Sequence, residues 1–182
     1  ILDGKNSLRD IPNLAWRRDG ELKTTGIKWV PKNLDSYSLD YKFIIKESLK
    51  SSDVLSSIPF AKFLSEPIGS SLAFKGCVYN CITCGGSKYT YERFLGRSCL
   101  ALKSPEKIVE EVTSLQEYMK IPVFILGDLQ LLGNRKIELL TKLLHESKID
   151  STLLFEFFNP PPKSVLTLLK KTSTRVILQL SP

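Results

Sequence analysis

The sequence is poor in the features that mark specialised classes of protein. Its 182 residues include one His and one Met, and no apolar run approaches the roughly 20 residues that a membrane-spanning helix needs. Internal repeats and low-complexity segments are also lacking. Hydrophobic residues make up 42% and charged residues 25%, which excludes disorder, collagen and a coiled coil. We therefore expect one ordinary globular domain with its own core, and no membrane association.

The amino terminus lacks the marks of a natural start. It begins Ile1-Leu2-Asp3-Gly4, without an initiator Met or a signal-peptide pattern. We therefore expect the chain to be a segment of a longer protein.

The charge of the chain is moderately positive. Lys and Arg number 26 against 19 Asp and Glu, a net charge of +7. The basic residues are scattered, without a dense arm, which is typical of a solvated surface. Attraction to an anionic substrate or to nucleic acid is the alternative, and charge alone gives nucleic acid little weight.

Three of the four cysteines lie close together in the sequence. Cys77, Cys81 and Cys84 have the spacing C-x3-C-x2-C, and Cys99 follows fifteen positions after Cys84. Three thiols so close cannot all pair among themselves, and a chain of this length does not need disulfides for a core. The spacing therefore indicates a metal site. Cys99 lies past the motif, where we expect a small buried residue; an auxiliary ligand or a radical-quenching thiol is the rival interpretation.

Two metals suit these thiolates. Structural zinc takes four ligands, and Cys99 or His145 would have to complete its set. Three thiolates on one loop can instead hold three corners of a [4Fe–4S] cluster, which leaves one iron open to a small molecule. Gly76, Gly85 and Gly86 allow the backbone to approach a cluster, and their amides can donate to its sulfurs.

Residues 76–87 resemble the cluster loop of radical S-adenosylmethionine (radical SAM) enzymes. They read Gly-Cys-Val-Tyr-Asn-Cys-Ile-Thr-Cys-Gly-Gly-Ser. The Tyr-Asn pair and the Gly-Gly-Ser end are most similar to the branch that carries a cobalamin-binding domain ahead of the radical SAM barrel. Thr83 departs from the pattern, because many members have an aromatic residue there.

The resemblance implies an enzyme whose reaction the sequence does not identify. Cys77, Cys81 and Cys84 would hold the [4Fe–4S] cluster, whose fourth iron binds S-adenosylmethionine. The implied product is a 5′-deoxyadenosyl radical that acts on an unknown substrate, or cobalamin-dependent methyl transfer through a domain outside this chain. An electron donor such as flavodoxin or ferredoxin and a reducing cytoplasm are implied as well. The alternative function is a zinc-binding basic interaction module for nucleic acid.

Strand and helix patterns alternate downstream of the cysteines, which predicts a parallel α/β fold. Strands are predicted at 70–75, 123–126, 153–158 and 176–178. Helices are predicted from Ser104-Pro105, from a cap at Asn134, through 165–169 and, before the cysteines, over 41–49. Asp19-Gly20 predicts a tight hairpin turn. With the resemblance, this predicts a lead-in or connector over residues 1–68 and a partial TIM-like (βα) barrel of the radical SAM type over 69–182, truncated after about the fourth strand.

Four further residues are candidates for binding S-adenosylmethionine. Gly127 and Asp128 end the second predicted barrel strand, where the family places a Gly-Gly-Glu-like motif that holds the methionine amino group; a strand stop and a capping aspartate are the alternative. Glu156 interrupts an apolar strand and points either into the barrel or to the surface. Ser181 ends the fourth strand, where the resemblance implies a contact with the ribose; a capping serine is the alternative.

Overall fold

The computed structural model of this protein describes residues 7–51 and 65–181. One compact unit comprises the described residues of 1–33 and 75–101, and a second comprises those of 34–74 and 102–182. The boundary predicted after residue 68 falls within the second unit, and the domain assignment stays a prediction. Residues 1–6 and 52–64 of the predicted lead-in lie outside the described residues.

Downstream of the cysteines, strands and helices alternate as the sequence predicts. The strands are β1 (Ala15–Arg18), β2 (Glu21–Thr24), β3 (Gly69–Leu72), β4 (Phe74–Lys75), β5 (Ala101–Leu102), β6 (Val123–Asp128), β7 (Thr152–Phe157) and β8 (Arg175–Leu180). The α-helices are α1 (Tyr41–Lys50), α2 (Lys88–Leu95), α3 (Pro105–Tyr118), α4 (Asn134–Glu146) and α5 (Lys163–Leu169). Short 3₁₀ turns cover Leu8–Asp10 and Leu129–Leu132.

Four parallel strands form the sheet of the second unit. Their order is β3-β6-β7-β8, and all three pairings are parallel. This confirms the α/β class. The predicted strand over 70–75 is divided in the structure, because β3 ends at Leu72 and the residues of β4 pair with β5 instead.

Local capping chemistry fixes the start of α3. The Ser104 hydroxyl accepts a hydrogen bond from the Lys107 N–H at 3.3 Å, and Pro105 occupies the first turn, as the sequence predicts. The predicted cap at Asn134 is wrong: Asn134 is the first residue of α4, and Gly133 precedes it without a side-chain cap. Within residues 7–51 and 65–181, none of the helices has both the length and the hydropathy of a membrane-spanning segment.

Burial alternates along the central strand β7. Leu153, Phe155 and Phe157 are at most 1% exposed, whereas Leu154 and Glu156 between them are half-buried. Successive side chains of a strand point to opposite faces of the sheet. One face therefore forms the core, and Glu156 lies on the less covered face.

A buried ionic contact joins α3 to the residue before its cap. Lys103 Nζ lies 2.5 Å from Glu111 Oε1, and both side chains are 4% exposed. The Ser71 hydroxyl of β3 donates to Glu111 Oε2 at 2.5 Å. Two charges removed from water are tolerated here because each has a partner of opposite charge or a hydrogen-bond donor.

The first unit contains the predicted hairpin. β1 and β2 pair antiparallel, with Trp16 opposite Lys23 and Arg18 opposite Glu21. Asp19 and Gly20 between them both have positive φ, 53° and 81°, as a tight two-residue hairpin loop requires. The predicted turn is confirmed.

Candidate functional site

The base of the cysteine loop is fastened to helix α2. The Ser87 hydroxyl accepts from the Thr90 N–H at 3.3 Å and caps this helix. The side-chain oxygen of Asn80 accepts from the Tyr89 N–H at 2.8 Å, and the Tyr79 carbonyl accepts from the Lys88 N–H at 2.7 Å. These bonds use donors of the first helical turn, which the helix itself leaves unpaired.

Two sulfur atoms of the loop accept backbone hydrogen bonds. The Tyr79 N–H donates to Cys77 Sγ and the Gly86 N–H donates to Cys84 Sγ, each at 3.4 Å. Cys77 is half-buried, whereas Cys81 and Cys84 are exposed, and all are free thiols. Hydrogen bonds to the sulfurs are a regular part of metal–thiolate sites, so these two bonds suit sulfurs that ligate a metal.

The donor set of the loop fits a thiolate-bound metal group. It offers three unpaired sulfurs on one segment and two N–H···S bonds, the chemistry that iron–sulfur ligation uses. Among the described residues, however, no three Cys, His, Asp or Glu side chains are gathered into the arrangement of a metal site. Metal binding would therefore require the three cysteines to converge.

Cys99 and His145 are the two residues that could complete a zinc site with the three motif cysteines. Cys99 is exposed, so the expectation that it is a small buried residue is wrong. His145 lies on α4, and its Nδ1 is 2.8 Å from the Lys171 carbonyl oxygen. One ring nitrogen of His145 thus has a structural partner.

Asp128 joins the ends of β6 and β7. It is 1% exposed, and its two carboxylate oxygens accept from the Gln130 N–H at 2.9 Å and the Phe158 N–H at 3.2 Å. Gln130 adds a second tie, because its amide donates to the Asn159 carbonyl at 2.9 Å. Asp128 therefore has the capping geometry that the sequence gave as the alternative to cofactor binding.

Glu156 faces the neighbouring strand end. Its Oε2 accepts from the Gly127 N–H at 2.8 Å. The register of β6 against β7 shifts between Ile125 and Asp128, a bulge that turns the Gly127 amide toward this carboxylate. This hydrogen bond engages one oxygen of Glu156, and the half-buried position leaves the carboxylate within reach of a ligand.

Ser181 follows the end of β8. Its N–H donates to the Phe157 carbonyl at 2.8 Å, and its hydroxyl accepts from the Gln179 amide at 3.1 Å. Gln179 itself stands opposite Glu156 in the parallel register. Parallel strands end at one edge of a sheet, so this edge brings Gly127, Asp128, Glu156 and Ser181 to neighbouring strand ends. The cysteine loop belongs to the other compact unit.

The sequence did not indicate the contact that fixes the conformation of Gly127. This residue has φ +104°, and a Cβ added to it would lie 2.8 Å from Phe74 Cε1. The positive φ and the Phe74 ring both disfavour any side chain there. The only feature of the sequence that pointed to this position is the Gly127-Asp128 pair at the end of a predicted strand.

Fold and site together define a mixed α/β protein with a polar edge on a parallel sheet and a cysteine-rich loop in a separate unit. Comparison with known proteins adds no family: no protein-family model matches the chain, and neither the curated proteins nor the solved structures gave a match.

Proposed function

We propose that this chain is part of a radical SAM enzyme that holds a [4Fe–4S] cluster through Cys77, Cys81 and Cys84. The observation that carries the proposal is the C-x3-C-x2-C spacing together with backbone N–H donors at two of the three sulfurs. When bound, the cluster would supply the electron that cleaves S-adenosylmethionine to methionine and a 5′-deoxyadenosyl radical. A low-potential cluster is oxygen-labile, so a reducing compartment such as the cytoplasm suits this function.

The polar strand ends supply the proposed binding site for S-adenosylmethionine. Glu156 offers a carboxylate to the positively charged amino group, because a charge-assisted hydrogen bond is about twice as strong as a neutral one. Asp128 acts as a positioning residue: by joining the ends of β6 and β7 it fixes the Gly127 segment that faces Glu156. The Ser181 hydroxyl is the proposed ribose contact.

The four-stranded sheet is proposed to be part of the wall of a (βα) barrel. Its strands follow one another in sequence order and are all parallel, and in β7 one face is buried while the other is half-buried. A barrel wall has helices against its outer face and presents its inner face to the site.

Anaerobic reconstitution with ferrous iron and sulfide tests the proposal. The wild-type chain is expected to take up about four irons and about four sulfides and to show the broad absorbance of an iron–sulfur cluster at about 400 nm. Cys77→Ala, Cys81→Ala and Cys84→Ala should each lose most of this iron. Cys99→Ala is the matched control, because it removes an exposed thiol outside the motif and should keep the cluster.

Metal analysis of the protein as purified separates the two candidate metals. One tightly held zinc per chain and no absorbance from iron would overturn the proposal and favour the zinc module. Equal iron loss in Cys99→Ala and in the three motif variants would also contradict it. Deoxyadenosine release with a chemical reductant, measured on the loaded protein, then distinguishes an enzyme from a protein that only keeps the cluster.

A further inference from the structure

The hairpin of the first unit forms a basic pocket around a tryptophan ring. The pocket has a volume of about 380 Å³ and is lined by four basic side chains, Trp16 and two threonines. The basic residues are Arg9, Arg18, Lys23 and Lys28. No carboxylate is among the lining residues, and the volume is within the range of about 300–1,000 Å³ found for small-ligand sites.

The pairing of β1 with β2 explains how these side chains meet. Trp16 stands opposite Lys23 in the antiparallel register, and residues directly opposite share one face of a hairpin. Arg18 lies two positions from Trp16 and therefore on the same face. Arg9 lies in the 3₁₀ turn Leu8–Asp10 ahead of the hairpin, and Lys28 follows it.

Side-chain hydrogen bonds hold the segments around the pocket in place. Asn13 Oδ1 accepts from the Lys28 N–H at 2.9 Å and the Trp29 N–H at 3.1 Å. The Thr25 hydroxyl donates to the Ile11 carbonyl at 2.9 Å and accepts from the Leu14 N–H at 3.0 Å. The backbone that carries Lys28 is thus fixed against the segment that leads from Arg9 into β1, which favours a preformed site.

The four cations are not equally available to a ligand. Lys23 contacts Glu21 at 2.5 Å, and Arg18 lies 3.6 Å from Asp19. Among the described residues, Arg9 and Lys28 form no ion pair, and both are exposed. An incoming anion would therefore meet Arg9 and Lys28 first, beside a half-buried indole.

We propose that this pocket binds a nucleoside phosphate, with the base against Trp16 and the phosphate held by Arg9 and Lys28. Proteins that bind single strands without sequence preference use basic side chains along the phosphates and aromatic rings on which any base can stack. A free nucleotide and a single-stranded nucleic acid present the same chemistry. No residue of the cysteine motif lines this pocket, so nucleotide binding here is independent of the function proposed above.

Fluorescence anisotropy of a labelled oligouridine of about eight nucleotides tests this proposal on the full chain. Arg9→Ala/Lys28→Ala is expected to weaken binding at low salt about tenfold. It should also reduce the slope of log K against log salt by about 0.7, since the two side chains hold one phosphate and each phosphate contact on a single strand contributes about 0.7. Lys142→Ala/Lys170→Ala is the charge-matched control, and it should change the affinity less than about twofold.

The tryptophan variants test the base contact separately from the charge. Trp16→Leu is expected to weaken binding about tenfold with the salt slope unchanged, and Trp16→Phe should restore most of the affinity. Far-ultraviolet circular dichroism of each variant shows whether it folds. If Trp16→Leu does not fold, the test rests on two other results: near-wild-type affinity in Trp16→Phe and a reduced salt slope in Arg9→Ala/Lys28→Ala.

Competition identifies the ligand and its source. Displacement by uridine monophosphate but not by inorganic phosphate supports a nucleoside phosphate that includes the free nucleotide. If only oligomers compete, the source is a single strand. Equal displacement by inorganic phosphate, with Trp16→Leu binding like the wild type, would show a plain anion surface and overturn the proposal; so would equal losses in the control variant.

Discussion

Glu156 and Gly127 are joined across two strands by one hydrogen bond, 2.8 Å from the Gly127 amide to Glu156 Oε2. The bond places a carboxylate of β7 over the bulge that ends β6. It also explains how an acid is accommodated within an otherwise apolar strand, since a partly buried carboxylate needs a donor.

Glu156→Gln is expected to weaken S-adenosylmethionine binding about tenfold, because the amide keeps the shape but loses the charge that favours an ammonium group. Isothermal titration of the anaerobically loaded protein measures the change. Glu138→Gln, an exposed glutamate on α4, is the matched control and should bind as the wild type does. An unchanged affinity in Glu156→Gln would remove this residue from the site.

Asp128→Ala should lower the free energy of unfolding by about 2–3 kcal/mol, because it removes a buried carboxylate that accepts from the half-buried N–H groups of Gln130 and Phe158. Urea denaturation followed by circular dichroism measures the loss. Asp150→Ala provides the comparison, since its carboxylate pairs with Lys120 at 3.4 Å on the surface and should contribute less than about 1 kcal/mol. Equal losses in both variants would refute the bridging role.

Gly127→Ala should destabilise the protein by about 2–4 kcal/mol, because a Cβ combines an unfavourable positive φ with a clash. That Cβ would lie 2.8 Å from the Phe74 ring. Phe74→Leu in the same chain should recover part of the loss by removing the ring edge, which a double-mutant cycle quantifies. Strictly additive effects would show that the clash contributes nothing.

Glu111→Gln should cost about 3 kcal/mol, since it leaves the Lys103 ammonium in a buried position without a counter-charge. Guanidinium denaturation at neutral pH measures this change. The exposed pair Lys142–Glu146, at 3.8 Å, gives the contrast: Glu146→Gln should change stability by less than about 0.5 kcal/mol. A loss below about 1 kcal/mol in Glu111→Gln would indicate that water reaches the pair.

Local signals predicted much of the secondary structure. Ser104-Pro105 predicted the start of α3 because a hydroxyl cap and a fixed φ act within one turn. Asp19-Gly20 predicted the hairpin for the same local reason. The cap at Asn134 failed by one residue, because Gly133 with its positive φ takes the position before the helix. Short-range chemistry therefore predicts that a helix or strand is present more reliably than it predicts the residue at which the element begins or ends.

The site was predicted less completely. Gly127, Asp128 and Glu156 were singled out from the sequence, but their partners were not. The Phe158 N–H donates to Asp128, 30 positions earlier in the chain, because β6 and β7 end side by side. Cys99 was expected to be buried and is exposed, since burial depends on what packs from elsewhere in the chain.

By itself, the sequence determined the alternation of strands and helices, the hairpin turn and the spacing of the three cysteines, because these depend on residues within a few positions of one another. Only the tertiary structure decided that Asp128 bridges two strands, that Lys103 pairs with Glu111, and that Arg9 and Lys28 line one pocket with Trp16. The Lys103–Glu111 pair spans 8 positions and the Asp128–Phe158 bond spans 30, and no pattern within a few positions encodes which of these groups the folded backbone brings together.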